Sequence, residues 1–81
     1  MVSAAATANE DWAISIGDPV DTADGHRLGE VTRADAYEVL VESGLIFRRR
    51  YVLDLAECDG YRDGVLITSL TLEDAQARER R

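Results

Sequence analysis

His26 and Cys58 are the only side chains of their types in this sequence, and the two best suited to general-base or thiolate chemistry near neutral pH. A Ser-His-Asp or Cys-His arrangement could assemble across a fold, since triad members need not be neighbours in sequence. Neither residue lies in a nucleophile motif, however. His26 follows the turn pair Asp24-Gly25, which predicts an exposed imidazole, and Cys58 reads as a small packed side chain. A lone cysteine forms no internal disulfide and cannot by itself hold zinc. Asp18, Asp21, Asp24, Gly25 and Glu30 suggest a calcium loop by composition. Setting Gly25 at the sixth loop position, though, puts Val20, Thr22 and Val31 where the first, third and twelfth ligands belong. The register fails, and a solvated acidic strand and turn is the better reading. The sequence therefore assigns no catalytic residue, metal site, cofactor or small-molecule substrate, and reads as a protein that is not an enzyme.

Arg48-Arg49-Arg50 stands out in a chain of formal net charge −7. Three adjacent cations on a strand alternate, so at most two share a face. One reading is a solvated segment whose charge discourages edge aggregation. The functional reading is contact with an acidic protein surface, including the acidic first half of a second copy. The candidate protein-binding residues are Arg48, Arg49, Arg50, Phe47 and Leu40. Phe47 and Leu40, like Leu66, fall outside the simplest inward registers, and Trp12 lies at the edge of the domain. RNA binding ranks lower, because only Phe47 and Tyr51 flank the cluster and no stacking platform is interleaved with it.

The elements that must position these residues are short and strand-like. Asp24-Gly25, Ser43-Gly44 and Asp63-Gly64 each place a glycine where a tight turn needs positive φ, and Asp63-Gly64 predicts a hairpin between Tyr61-Arg62 and Val65-Leu66. Tyr37, Val39 and Val41 alternate with Glu38, Leu40 and Glu42, and Tyr51, Leu53 and Leu55 alternate with Val52, Asp54 and Ala56. Each series predicts a strand with one buried face. Val65 and Ile67 give a shorter inward pair. Gly29, within Leu28–Thr32, suits a bulge or a close backbone crossing. Thr71 is an N-cap candidate, and the helix formers from Leu72 to Arg80 predict one short C-terminal helix that frays, with Arg78, Arg80 and Arg81 at its cation-favouring end. Curling five or six short antiparallel strands into a small barrel limits the exposed edges, which makes the fold class all-β, a closed or partly open barrel. Residues 1–11 predict a flexible tail, 12–77 the domain, and 78–81 a frayed end.

Composition fits this outline. An 81-residue chain is one domain that buries only roughly 60–65% of its unfolded surface, and five aromatics leave a thin core of Val, Leu, Ile and Ala. Residues 1–40 hold eight acids and two arginines, whereas residues 41–81 hold eight acids and seven, so the acidity is concentrated in the first half. That mean field repels nucleic acid. Every basic residue is arginine, which GC-rich coding or salt adaptation would each produce; coding bias is favoured because the arginines are kept. The opening residues show no basic and apolar signal pattern, and no run approaches the roughly 18 apolar residues of a membrane span. These features predict a cytoplasmic protein without membrane insertion.

Ile16-Gly17-Asp18-Pro19-Val20, then Asp24-Gly25, then Leu28-Gly29-Glu30-Val31 resembles the opening of a PRC-barrel domain. Tyr51-Val52-Leu53, the Asp63-Gly64 hairpin and Leu70-Thr71-Leu72-Glu73 resemble its remainder, so the likeness covers roughly residues 14–76. The family often has proline where Asp54 stands. The resemblance implies an SH3-like barrel used as an adaptor, whose shared property is protein contact, with no catalytic residues to carry over. Members serve in the photosynthetic reaction-centre H subunit, in a ribosome-maturation factor that docks a ribosomal protein, and in archaeal cell division. The expected partner is a protein, a second copy of the chain, or both.

Overall fold

The Asp24-Gly25 turn is built from its own side chains. Gly25 takes φ +86°, the Thr22 hydroxyl donates to the Asp24 carboxylate at 2.6 Å, and the His26 N–H donates back to that hydroxyl at 3.0 Å. The turn joins strand β1 (Pro19–Asp21) to β2 (Arg27–Ala34) as an antiparallel pair. Strands β3 (Glu38–Ser43) and β4 (Arg49–Asp54) continue the antiparallel meander. A 3-10 turn, Leu55–Glu57, leads into β5 (Cys58–Arg62), and the Asp63-Gly64 turn returns the chain as β6 (Val65–Thr68). Both turn residues have positive φ, +53° and +77°, the geometry that matches the twist of a two-residue hairpin. These features come from a computed structural model that describes residues 12–44 and 48–80. The predicted N-terminal tail, residues 1–11, lies outside the described residues.

The strands form one sheet in the order β5-β6-β1-β2-β3-β4, with a two-residue strand β7 (Glu79–Arg80) on the far side of β4. The sheet curls into a partly open barrel around Val20, Val31, Val39, Val41, Leu53 and Leu66, each buried to within 1% of its surface. Two details differ from the sequence expectation. Among the described residues the sheet has the expected six strands plus the two-residue β7 at its edge, but they are not all antiparallel, since β1 and β6 run parallel with Val20 beside Leu66 and Asp21 beside Ile67. The C-terminal helix is also shorter than its composition predicts. Helix α1 (Leu72–Gln76) starts with Thr71 accepting from the Asp74 N–H, buries Ala75, and stops. The helix formers beyond it give way to β7, because the Arg78 carbonyl accepts from the Val52 N–H and Glu79 pairs with Tyr51. Tertiary pairing outweighs a weak helix propensity there.

The inward faces mostly follow the alternation. Val39 and Val41 are buried on β3, and Tyr51 and Leu53 on β4, followed by Leu55. Tyr37 departs from its series. It precedes β3 in a turn whose Asp35 carboxylate accepts from the Tyr37 and Glu38 N–H groups, and its side chain is 81% exposed. On β6 the expected faces are exchanged: Leu66 and Thr68 are buried, while Val65 and Ile67 are half-buried on the other side. Thr68 is accommodated because its hydroxyl donates to the Glu57 carbonyl at 2.5 Å and accepts from the Leu70 N–H at 3.2 Å. Gly29 is a close crossing: a Cβ there would meet the Glu42 carbonyl and lie 3.1 Å from the Ser43 Cβ.

Candidate functional site

The β3–β4 hairpin positions the arginine run. Its ladder pairs Ser43 with Arg49, Glu42 with Arg50, Val41 with Tyr51, Leu40 with Val52 and Glu38 with Asp54. Because Tyr51 and Leu53 face the core, the opposite parity, Arg48, Arg50, Val52 and Asp54, faces outward together with Glu38, Leu40 and Glu42. The outer face of this ribbon thus carries Leu40 and Val52 at its centre. Both are half-buried, and neither packs against the core cluster.

The three arginines separate as strand alternation requires. Arg48 and Arg50 approach opposite oxygens of Glu42 at 3.8 and 3.9 Å, whereas Arg49 approaches Glu79 at 3.6 Å across the β4–β7 pair. Their side chains remain 67%, 61% and 56% exposed in the order Arg48, Arg50, Arg49. Exposed pairs at such distances are weak and exchange readily with solvent or an incoming carboxylate. Of the five candidate residues, the structure brings Arg48, Arg50 and Leu40 to one face and puts Arg49 on the other. Phe47 lies outside the described residues. Leu66, grouped with Leu40 by sequence, belongs to the core.

Sequence reading passed over Glu42 and Glu79, the carboxylates that face the run. Glu42 was accessible in principle, because a hairpin with Ser43 opposite Arg49 necessarily sets Glu42 opposite Arg50. Glu79 was not, since its strand pairing is a long-range event. Beside Glu42 and Arg48 lies a cleft of about 480 Å³ that is also lined by Arg27, Leu28, Gly29 and Glu30. Arg27 is held there by Asp21 at 2.5 Å.

The first-half acids have separate tasks. Asp18 accepts from the Ser15 N–H at 2.8 Å and from the Tyr61 hydroxyl at 2.6 Å. Asp21 holds Arg27. Asp24 accepts from Thr22 and, at 3.1 Å, from the Leu72 N–H, which ties the first turn to the start of α1; the Thr22 hydroxyl is the main cause of its lowered carboxyl pKa. Among the described residues no three His, Cys, Asp or Glu side chains converge as metal ligands. His26 stands 3.9 Å from Asp24 at the exposed turn. Cys58 is half-buried with its thiol 3.7 Å from the Asp54 carbonyl, and burial, aided by the charges of Glu57 and Asp54, pushes that thiol up to about 12. A thiol so placed is neutral at physiological pH and a poor nucleophile.

A second charged cluster fastens the C-terminal segment. The Arg78 guanidinium engages Glu57 through Nη2 and, at 3.2 Å, through Nε, while Glu57 also accepts from the Asp54 N–H at 3.3 Å. Arg78 accordingly holds the Glu57 carboxyl below its ordinary range. No described helix is long and apolar enough to cross a membrane.

Compared with protein-family profiles, curated protein sequences and solved structures, the chain gives no match.

Proposed function

We propose that this protein is a non-catalytic docking module of PRC-barrel type, acting in the cytoplasm, which binds protein through the outer face of β3–β4. The observation that carries the reading is the arrangement of that face. An apolar pair, Leu40 and Val52, lies at its centre, and two largely exposed arginines, Arg48 and Arg50, lie at its rim and, among the described residues, make long contacts to Glu42. An apolar centre with a polar, exchangeable rim is the anatomy of a protein contact surface. The rim cations favour an acidic partner and would speed its approach.

The potential nucleophile and base support a binding role. Cys58 has a thiol raised to about 12, and His26 sits on an exposed turn beside a carboxylate committed to Thr22 and Leu72. RNA is disfavoured because Tyr51, the described aromatic adjoining the arginines, is only 3% exposed and offers no ring for stacking.

Titration with polyglutamate at low salt tests the proposal. Wild-type protein should bind it, the Arg48→Glu/Arg50→Glu variant should not, and single-stranded RNA should compete poorly. Equal binding by both proteins, or tight binding of RNA that ignores the arginines, would overturn the reading.

A further inference from the structure

Asp-Gly occurs three times in the sequence, at 24–25, 59–60 and 63–64. An aspartyl carboxyl followed by glycine is open to attack by its own backbone, because no Cβ on the next residue shields the nitrogen that approaches it. The fold closes two of the three. At the first, the Gly25 N–H donates to the Thr22 carbonyl at 3.0 Å and the Ala23 N–H to the Leu70 carbonyl at 2.8 Å, while the Asp24 carboxylate accepts from the Thr22 hydroxyl and the Leu72 N–H. Those bonds hold both reacting groups. The Thr22 hydroxyl, foremost, also keeps the Asp24 carboxyl below its ordinary range, away from the protonated form that can lose a hydroxyl. At the second, Asp59 lies inside β5, with Cys58 paired to Thr68 on one side of it and Gly60 to Ile67 on the other. Asp63 and Gly64 stand outside the ladder. The strand pairing ends at Arg62 and Val65, Asp63 is exposed, and a Cβ placed on Gly64 would meet nothing within 4 Å. Asp63 is also the one described residue other than glycine with positive φ, +53°, a conformation that costs an L-residue free energy.

We propose that Asp63-Gly64 is a site of spontaneous covalent modification, where the chain isomerises to isoaspartate and the β5–β6 hairpin loosens as a result. The hairpin tip must first open, which releases the positive φ of Asp63. Because β5 is an edge of the sheet, that opening disturbs the Arg62–Val65 pair ahead of the β6–β1 pairing at Leu66 and Ile67. The Gly64 nitrogen then bonds to the Asp63 Cγ, and the carboxyl hydroxyl leaves with the amide proton as one water, giving a five-membered succinimide. A second water adds to the ring. Addition at Cγ restores aspartate, whereas addition at the main-chain carbonyl carbon of Asp63 breaks its original bond to Gly64 and leaves the chain running through Cβ and Cγ. One water leaves and one enters, so the mass is unchanged and water is the only other reactant. The product carries an extra backbone carbon between Arg62 and Gly64, which a two-residue turn of paired positive φ does not accommodate. The register of β6 depends on that turn, and β6 sends Leu66 and Thr68 into the interior and pairs with β1.

Prolonged incubation of the full chain at neutral pH, folded and in urea, tests this, with isoaspartate read site by site from the diagnostic backbone fragments of electron-transfer mass spectrometry. In the folded chain isoaspartate should accumulate at 63 severalfold faster than at 24 or 59. In urea, where the protecting bonds are gone, the three rates should converge. Equal rates in the folded chain, no isoaspartate at 63 over a period in which the unfolded chain forms it, or a preference for 63 that persists unchanged in urea overturns the proposal. Asp63→Asn keeps a residue suited to the turn and closes the same ring by releasing ammonia instead of water, so it should reach the isomerised product severalfold sooner. A variant no faster than wild type would count against ring closure at this position. The isomerised fraction, separated by chromatography, should unfold at lower urea than fresh protein, and an identical midpoint refutes the loosening of the hairpin.

Discussion

Gly29→Ala tests the closest backbone approach in the sheet. A Cβ on Gly29 falls on the Glu42 carbonyl, 2.9 Å from its carbon and 3.1 Å from the Ser43 Cβ. The obstructing atoms are mainly backbone, so no rotamer change relieves them; β2 and β3 must separate instead. Overpacking a rigid site costs about 1–3 kcal/mol, and with backbone as the obstacle the upper part of that range, about 2–3 kcal/mol, is expected. A domain of this length has about 4–12 kcal/mol of total stability, so the loss is a substantial share. At about 4–8 °C per kcal/mol, the melting temperature should fall by roughly 10–20 °C. Urea unfolding followed by far-ultraviolet circular dichroism, with Trp12 fluorescence as a second probe, measures the change. A midpoint within experimental scatter of wild type would refute the close crossing and with it the placement of Glu42 beneath Arg48 and Arg50.

Three further outcomes follow from the packing. Leu66→Ala should cost about 3 kcal/mol because the side chain is fully buried, and Ile67→Ala less than half as much; the reverse order in urea unfolding would restore the face that alternation suggests. Iodoacetamide should label Cys58 in the folded protein at about pH 8 far more slowly than in urea, as a thiol raised to about 12 requires, with mass spectrometry as the readout. Glu57 contributes stability above its unfolded value of 4.5 that is lost as pH falls through its lower folded value, so the urea midpoint of wild type should drop on acidification more than that of Arg78→Gln. Parallel curves for the two proteins would show that the Glu57–Arg78 pair does not couple to folding.

What the sequence revealed was local. The turn glycines at 25 and 64 take positive φ because short polar turns leave them little else, Gly44 takes it as well, and β4 shows its buried face through Tyr51, Leu53 and Leu55. Val65-Leu66-Ile67-Thr68 could not declare a face, since three successive apolar residues have no period of two. The choice comes from Val20, which pairs with Leu66 from 46 positions away. Likewise Ala77 to Arg80 has helical composition, yet the chain leaves the helix at Ala77, and contacts with Val52, Tyr51 and Glu57 set Glu79–Arg80 as a strand. For the site, alternation alone divided Arg49 from Arg48 and Arg50. The carboxylates that hold them became visible once the hairpin register was known, and Glu79 only with the whole sheet.

The parallel pairing of β1 with β6 also bears on how the chain folds. β2, β3 and β4 are joined by short connections and can assemble from nearby residues, as can the β5–β6 hairpin across Asp63-Gly64. The two units share one sheet only through the three residues of β1, whose contact with β6 closes a long loop against chain entropy. Such non-local closure comes late when rates follow contact order. Pro19–Asp21 therefore acts as the latch of the folding reaction: a meander and a hairpin form first as separate pieces, and the barrel exists as a cooperative whole only once that short strand has been inserted between them.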